Sequence, residues 1–400
     1  MTQASTAAPA GGRTVKAAVL LVTVFFLTFL GRTILSPLLL EIQADLGVSI
    51  AVGGSFFLVI SAGLIASMLV SGFVSRRVTH HGAIAISALL VGAGLLVLSA
   101  SDGLFLFRLG LLVIGSGAGL YLPSGVATLT DVVPRRLWGR ALAFHELGPI
   151  LGLAAAPPLA ELSLRFLGWR PLLAGLGILA AAMAGVFARF GAGGRFPGQP
   201  PEWRALREIA GRGRFWAVVF FFTMAIGLEL GVYAMLPSYL VAERGMAQSL
   251  VNGVVGSSRL TSLTMVFAAG WLADHFGVRR VVAAVAVSAG IVTALIGAAR
   301  GPVLLVAVYL QPMLISAFFP AGLTALAEVS TPERRNLVVS VVMPIAYLVG
   351  AGAFPAVIGR LAEAGSFGVG FLAVGVLMVT GAAAAPALGR PSHDATSAGR

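Results

Sequence analysis

Three ionisable residues stand deep inside long apolar stretches of this chain: Arg32, Glu229 and Arg259. A charge placed in hydrocarbon costs about 2.5–3.5 kcal/mol even on lenient insertion scales, so it persists only when paired or when it borders a wet cavity. Two guanidinium groups and one carboxylate sum to one positive charge, and planar guanidinium forks match the geometry of a carboxylate or similar oxyanion. The chemistry this trio can do is therefore recognition of a small anion, against the plainer alternative of a salt-bridge lattice that only ties helices together. His145 and Glu146 form a second group. Burial favours the protonated form of a carboxyl group, and imidazole titrates near neutrality, so Glu146, Glu229 and His145 are the candidates for carrying a proton. Adjacent helix residues point about 100° apart, so His145 and Glu146 are not expected to face one cavity together, and a packing role for His145 is the bland alternative.

The elements that must position these groups are membrane spans. The 400 residues are 58% hydrophobic and 10% charged, with mean hydropathy +0.97, whereas soluble domains are about 25% charged. A span needs about 20 mainly apolar residues. The sequence predicts twelve, near 17–40, 51–74, 82–101, 104–131, 138–162, 169–190, 215–241, 250–273, 281–299, 302–328, 336–360 and 366–388. The first is too long for a signal-peptide core and is expected to remain as a span. Nineteen of the 27 Arg and Lys fall on the side of the two termini, five on the other side, and Arg32, Arg108 and Arg259 within spans. By the positive-inside rule, both termini are cytoplasmic. Counted from that side, Arg32, Glu229 and Arg259 are about 14–17 residues deep, one layer roughly 20 Å from the inner surface at about 1.5 Å per residue.

The chain is also a duplication. Tyr121-Leu122-Pro123-Ser124-Gly125 through Asp131-Val132 aligns with Phe318-Phe319-Pro320-Ala321-Gly322 through Glu328-Val329, each followed by a proline and an Arg-Arg pair; Pro37 matches Pro237 and Gly72 matches Gly270. An offset of about 200 residues means two related halves. The expected architecture is an all-α membrane protein of twelve transmembrane helices in two pseudo-symmetric six-helix bundles, 17–190 and 215–388. A polar tail (1–16), a cytoplasmic linker (191–214) and a second polar tail (389–400) complete it. Within the linker, Glu202 to Ile209 is expected to form a short amphipathic helix at the inner surface.

The loop Gly270-Trp271-Leu272-Ala273-Asp274-His275-Phe276-Gly277-Val278-Arg279-Arg280 resembles the loop signature of the major facilitator superfamily. Arg108 followed by Gly115-Ser116-Gly117-Ala118-Gly119 is similar to its span-four motif, with the arginine one turn early; Arg108 either points inward or snorkels to the headgroups. Gly148-Pro149-Ile150-Leu151-Gly152 resembles the span-five motif of its proton-coupled exporters. The resemblance implies a transporter working by alternating access, in which Asp274, with Gly270, Gly277 and Arg279, belongs to an inner gate. The first-half equivalent departs from the pattern, because Arg76 stands where the family carries an acid; Asp131 or Glu328 is the substitute charge partner. The resemblance further implies that spans one and seven face each other across a central cavity, where Arg32, Glu229 and Arg259 meet and Tyr121, Gln311, Tyr233 and Tyr347 offer polar tips.

Other chemistries have no residues to carry them. Cysteine is absent, there is no phosphate-binding glycine loop, and His80 and His81 are adjacent rather than at metal-binding helical spacing. No catalytic triad or paired-carboxylate arrangement is visible, so an enzyme is not expected. The basic residues are spread over several loops, which excludes a nucleic-acid groove. No cofactor is expected; the partners are a small-molecule substrate, protons and the lipid of a bacterial-type inner membrane, and the chain is expected to act as a monomer. The leading expectation is proton-coupled movement of a small organic anion. Proton-driven efflux of a drug-like compound is the alternative, and a membrane sensor without flux is the reading from another class.

Overall fold

The computed structural model describes residues 10–198, 211, 213–328 and 335–388, and no strand occurs among them. The first half comprises α1 (Ala10–Thr33), α2 (Leu35–Leu46), α3 (Ile50–Ser99), α4 (Leu104–Val132), α5 (Trp138–His145), α6 (Leu147–Phe166) and α7 (Trp169–Phe190). The second half begins with α8 (Gly213–Ile226), which runs through a π-helical segment, Gly227–Gly231, into α9 (Val232–Ala242). It continues through α10 (Gln248–Leu260), α11 (Ser262–Phe276), α12 (Val278–Ala298), α13 (Gly301–Ser316) and α14 (Phe318–Glu328). Then α15 (Arg335–Ala346) passes through a second π-helical segment, Tyr347–Ala353, into α16 (Phe354–Glu363), and α17 (Phe367–Gly381) leads into a 3-10 segment, Ala382–Leu388.

Ten helical rods among the described residues are long and apolar enough to cross a membrane. The sequence expectation was twelve, and two rods differ most from that expectation. At 50 residues, α3 would measure about 75 Å if straight, more than twice a bilayer core. It breaks at Thr79 (φ 65, ψ 169), a conformation that non-glycine residues adopt only at a cost. The rod formed by α10 and α11 carries Asn252, Ser257, Ser258, Arg259, Thr261 and Ser262, and its helix is interrupted at Thr261. A polar composition of that kind lowers its hydropathy below that of a plain span.

Lipid gives apolar side chains no reason to leave it, so helix packing here depends on close approach. Between α3 and α4 a Cβ on Gly115 would lie 2.0 Å from the Ile60 carbonyl oxygen, and one on Gly119 would lie 2.1 Å from that of Leu64. Glycine at both positions lets the two backbones touch. The same device joins the two π-helical segments, where a Cβ on Gly350 would meet the Thr223 carbonyl at 2.5 Å and the Gly227 nitrogen at 2.6 Å.

The helix α3 breaks at Thr79, and residues 191–198 are laid against that corner. The His80 and His81 amides donate to the carbonyls of Phe196 (3.3 Å) and Gly194 (2.9 Å), which caps two of the orphan N–H groups opening the second arm of α3. The Gly194 amide in turn donates to Asp131 at the end of α4 (2.9 Å). In the second half the aligned acid, Glu328, pairs with Arg214 at 2.6 Å. Thus Asp131 holds a backbone amide and Glu328 holds a guanidinium, one at each end of the linker. The amphipathic helix expected at Glu202–Ile209 lies outside the described residues.

Candidate functional site

Arg32 occupies the last turn of α1, where the helix breaks before Leu35. It is 9% exposed, its guanidinium carbon stands 4.0 Å from the centre of the Phe29 ring and 5.1 Å from that of Tyr347, and its Nε is buried without a hydrogen-bond partner. Among the described residues it has no carboxylate partner. Two aromatic faces therefore hold this cation in place, while the donors of its fork stay uncommitted. It lies on the wall of a small, partly open cleft. The remaining wall is Phe25, Thr28, Phe29, Leu64, Met68, Ala118, Leu122 and Tyr347.

Arg259 and Glu229 are neighbours in the second half, as the sequence expected of them, with Nη1 3.9 Å from Oε1. That distance is an ion pair without a hydrogen bond. Arg259 is 1% exposed, and its Nε, Nη1 and Nη2 are all buried without partners, as is Oε2 of Glu229. A buried guanidinium with three idle nitrogens is costly, since neither water nor protein repays its desolvation. The ring of Tyr233 lies 5.0 Å from the Arg259 guanidinium carbon, and the Tyr233 hydroxyl donates across the halves to the Leu153 carbonyl at 3.1 Å. Gln311 donates to the Leu228 carbonyl at 2.8 Å and leaves its Oε1 buried and unpaired.

Tyr121 and His145 form a separate buried group with Phe25. The Tyr121 hydroxyl donates its single proton to the Leu21 carbonyl (2.6 Å) and lies 2.9 Å from His145 Nε2. Because that proton is spent, His145 must donate from Nε2, which fixes its tautomer and leaves Nδ1 as a bare acceptor. Nδ1 has no hydrogen bond, and Oε1 of the exposed Glu146 lies 3.8 Å away. The Phe25 ring stacks on both (4.7 Å to Tyr121, 4.4 Å to His145) and also lines the Arg32 cleft. His145 and Glu146 lie 3.8 Å apart at the junction of α5 and α6, the first buried and the second 56% exposed, so the two side chains do not share one environment.

A feature the sequence reading missed unites the site. Arg32 stands at the break before α2, Arg259 at the break before α11, Glu229 on the first π-helical segment, and Tyr347 at the start of the second. Interrupted helices leave the backbone free to re-aim side chains, and π segments concentrate at functional positions. Glycine clusters such as Gly227 with Gly231, and Gly350 with Gly352, were the available signal.

The gating residues are more dispersed. Asp274, Arg279 and Arg76 are exposed, and among the described residues none has an ion-pair partner. Gly277 (φ 83) makes the turn between α11 and α12, where L side chains are strained. Gly270 lies within α11, its surroundings outside the described residues. Arg108 is exposed and does not reach the cleft.

Hydrogen bonds between the halves cluster at one end. Ser36 donates to the Tyr233 carbonyl (2.8 Å), Gln248 to that of Pro37 (3.2 Å) and Asn252 to Oε2 of Glu161 (3.0 Å). There, too, a Cβ on Gly54 would meet the Pro355 carbonyl at 2.5 Å. This is the end away from the termini; at the opposite end Phe144 and Leu151 are more than 40% exposed.

These features are those of a membrane transporter fold. The family model for the Major Facilitator Superfamily matches residues 21–260 and 232–399, and the chain belongs to that family. Its fold is similar to that of a bacterial homologue of the human lysosomal transporter Spinster in an inward-facing, occupied conformation (TM-score 0.74, 15% identity, 93% of this chain and 96% of that one). It is also similar to a variant of the nucleoside transporter NupG (TM-score 0.76, 15% identity, 94% and 100%) and to a D-xylose-proton symporter (TM-score 0.74, 16% identity, 94% and 98%). Among curated proteins, Sugar transporter ERD6-like 15 of Arabidopsis thaliana is 29% identical over 137 residues, which span 34% of this chain and only 28% of that protein.

Proposed function

We propose that this chain moves a small organic anion of the carboxylate type across a bacterial-type inner membrane by alternating access, driven by protons. The observation that carries the reading is Arg32: a guanidinium on the cleft wall, held between two rings, with its donors unspent and no acid to neutralise it. Such a group attracts an anion and repels a cation, which weighs against the efflux of cationic drug-like compounds. The chain is read as twelve spans, since dividing the over-long α3 at Thr79 adds one crossing to the ten apolar rods and the α10–α11 rod adds another. Two six-helix bundles, 17–190 and 215–388, follow from this reading. Both termini are cytoplasmic, and the seal at the opposite end then makes the described conformation inward-open. In that state the exposed, unpaired Asp274 and Arg279 are gate residues caught apart.

Proton coupling is assigned to Glu229, with His145 and Glu146 as the second proton site. Protonating Glu229 would leave the buried Arg259 with no counter-charge, so the protonation state of Glu229 sets the cost of holding that guanidinium where it is. Uptake of radiolabelled carboxylates into proteoliposomes under an imposed pH gradient tests the whole reading. Wild-type protein should accumulate label, and Arg32→Gln should lose at least about tenfold in uptake, the size of a lost charge-assisted hydrogen bond. Glu229→Gln should still exchange substrate while no longer responding to the gradient. Uptake of sugar with no uptake of any carboxylate would overturn the proposal.

A further inference from the structure

We infer that the preferred solute is a monovalent carboxylate with an apolar body, and that sugars and multiply charged acids are poorly held at the same site. The inference rests on the anion reading above and narrows it. Its first ground is charge. Arg259 already stands 3.9 Å from Glu229, so within this layer the positive charge left over is that of Arg32 alone. One free guanidinium neutralises one carboxylate. A second carboxylate on the solute would enter the apolar wall unpaired, which is strongly unfavourable.

The second ground is the wall itself. Apart from Arg32, its polar members are Thr28 and Tyr347, and Thr28 already donates to the Phe25 carbonyl at 3.0 Å. The other six lining residues are apolar. A pentose or hexose buried here would leave most of its hydroxyls without partners, and unpaired buried hydroxyls are penalised far more than paired ones are rewarded. An apolar body, in contrast, gains from burial against Phe25, Phe29, Met68 and Leu122. The third ground is contact. The Arg32 guanidinium carbon lies over the Phe29 and Tyr347 rings, so a carboxylate paired with it carries its apolar body beside aromatic surface.

Binding to the purified full chain in detergent, measured by isothermal titration calorimetry, separates the possibilities with four probes: benzoate, benzamide, succinate and xylose. Benzoate is expected to bind at least about tenfold more tightly than benzamide, its uncharged isostere, and than succinate, with xylose weaker still. Arg32→Gln should erase the preference for benzoate over benzamide, and Arg32→Lys should restore part of it, because a point charge replaces a planar fork. If the conservative variant does not fold, the wild-type ranking alone still decides. Succinate binding as tightly as benzoate, with both sensitive to Arg32, would overturn this inference and leave the anion reading standing. Equal binding of benzoate and benzamide, xylose binding above either carboxylate, or no benzoate binding below roughly 10 mM would overturn both.

Discussion

The hydroxyl of Tyr121 has one proton and two partners, and that arithmetic decides what His145 can do. With the proton given to Leu21, the imidazole is held as an Nε2 donor whose Nδ1 points toward Glu146. Tyr121→Phe removes both bonds while keeping the ring that stacks on Phe25. It should lower thermal stability in detergent by the equivalent of about 1–3 kcal/mol, because a buried carbonyl and a buried imidazole both lose their partner. It should also weaken the pH response of transport more than transport itself; an unaltered melting temperature would show that these bonds contribute nothing. At this scale the sequence was informative about residue types. A charge inside an apolar stretch is visible in the letters, and its cost is known before any fold is seen. Partners are another matter, since Leu21, Tyr121 and His145 lie on three helices, and nothing in their spacing announces that they meet. Likewise Arg32 and Arg259 looked equivalent in sequence, whereas one sits in a cleft without a carboxylate and the other is sealed beside Glu229.

Among the elements, α6 and α10 form the seal between the halves near Pro157 and Gly256, where a Cβ on Gly256 would lie 3.1 Å from the Ala154 carbonyl and from Pro158. Farther along the same pair, Asn252 donates to Glu161, which also accepts from Arg165 at 2.8 Å. On the alternating-access proposal, the Asn252 contact exists only while this end is closed and so stabilises one of the two conformations. Asn252→Ala should shift the equilibrium toward the other by roughly tenfold, the worth of a hydrogen bond to a charged acceptor. The helices themselves were largely legible, because runs of apolar residues as long as Leu104–Val132 leave little choice of element. Their interruptions were not. Whether a glycine inside a span ends a helix, permits a contact or admits a π turn depends on the neighbouring helix, and Gly227 and Gly350 were settled only by each other. Thr79 carries no such warning; the partners of the two amides that follow its strained backbone lie more than 110 residues on, in the 191–198 segment.

For the whole molecule, the decisive property is which end of the central space is open. The absence of cysteine makes this directly measurable with a single introduced thiol. Leu151, in α6 on the open side, is 43% exposed. Leu151→Cys should react with a membrane-impermeant maleimide applied from the cytoplasmic face and resist it from the other. Adding Asn252→Ala should slow that reaction by depleting the open-inward state; labelling from the opposite face alone would invert the assigned orientation. The repeated motif predicts two related halves, yet the repeat is chemically unequal, with Asp131 gripping a backbone amide where Glu328 grips Arg214. The two π-helical segments are unequal neighbours in another sense. Each winds one more residue into a turn than an α-helix does, and they touch through Gly227, Gly231 and Gly350. Rewinding Gly227–Gly231 as ordinary α-helix would swivel all that follows by about 100°, carrying Tyr233 off Leu153 and its carbonyl off Ser36. The seam would then act as an escapement: one backbone click at Glu229 releases the distant closure, with no need for the bundles to bend.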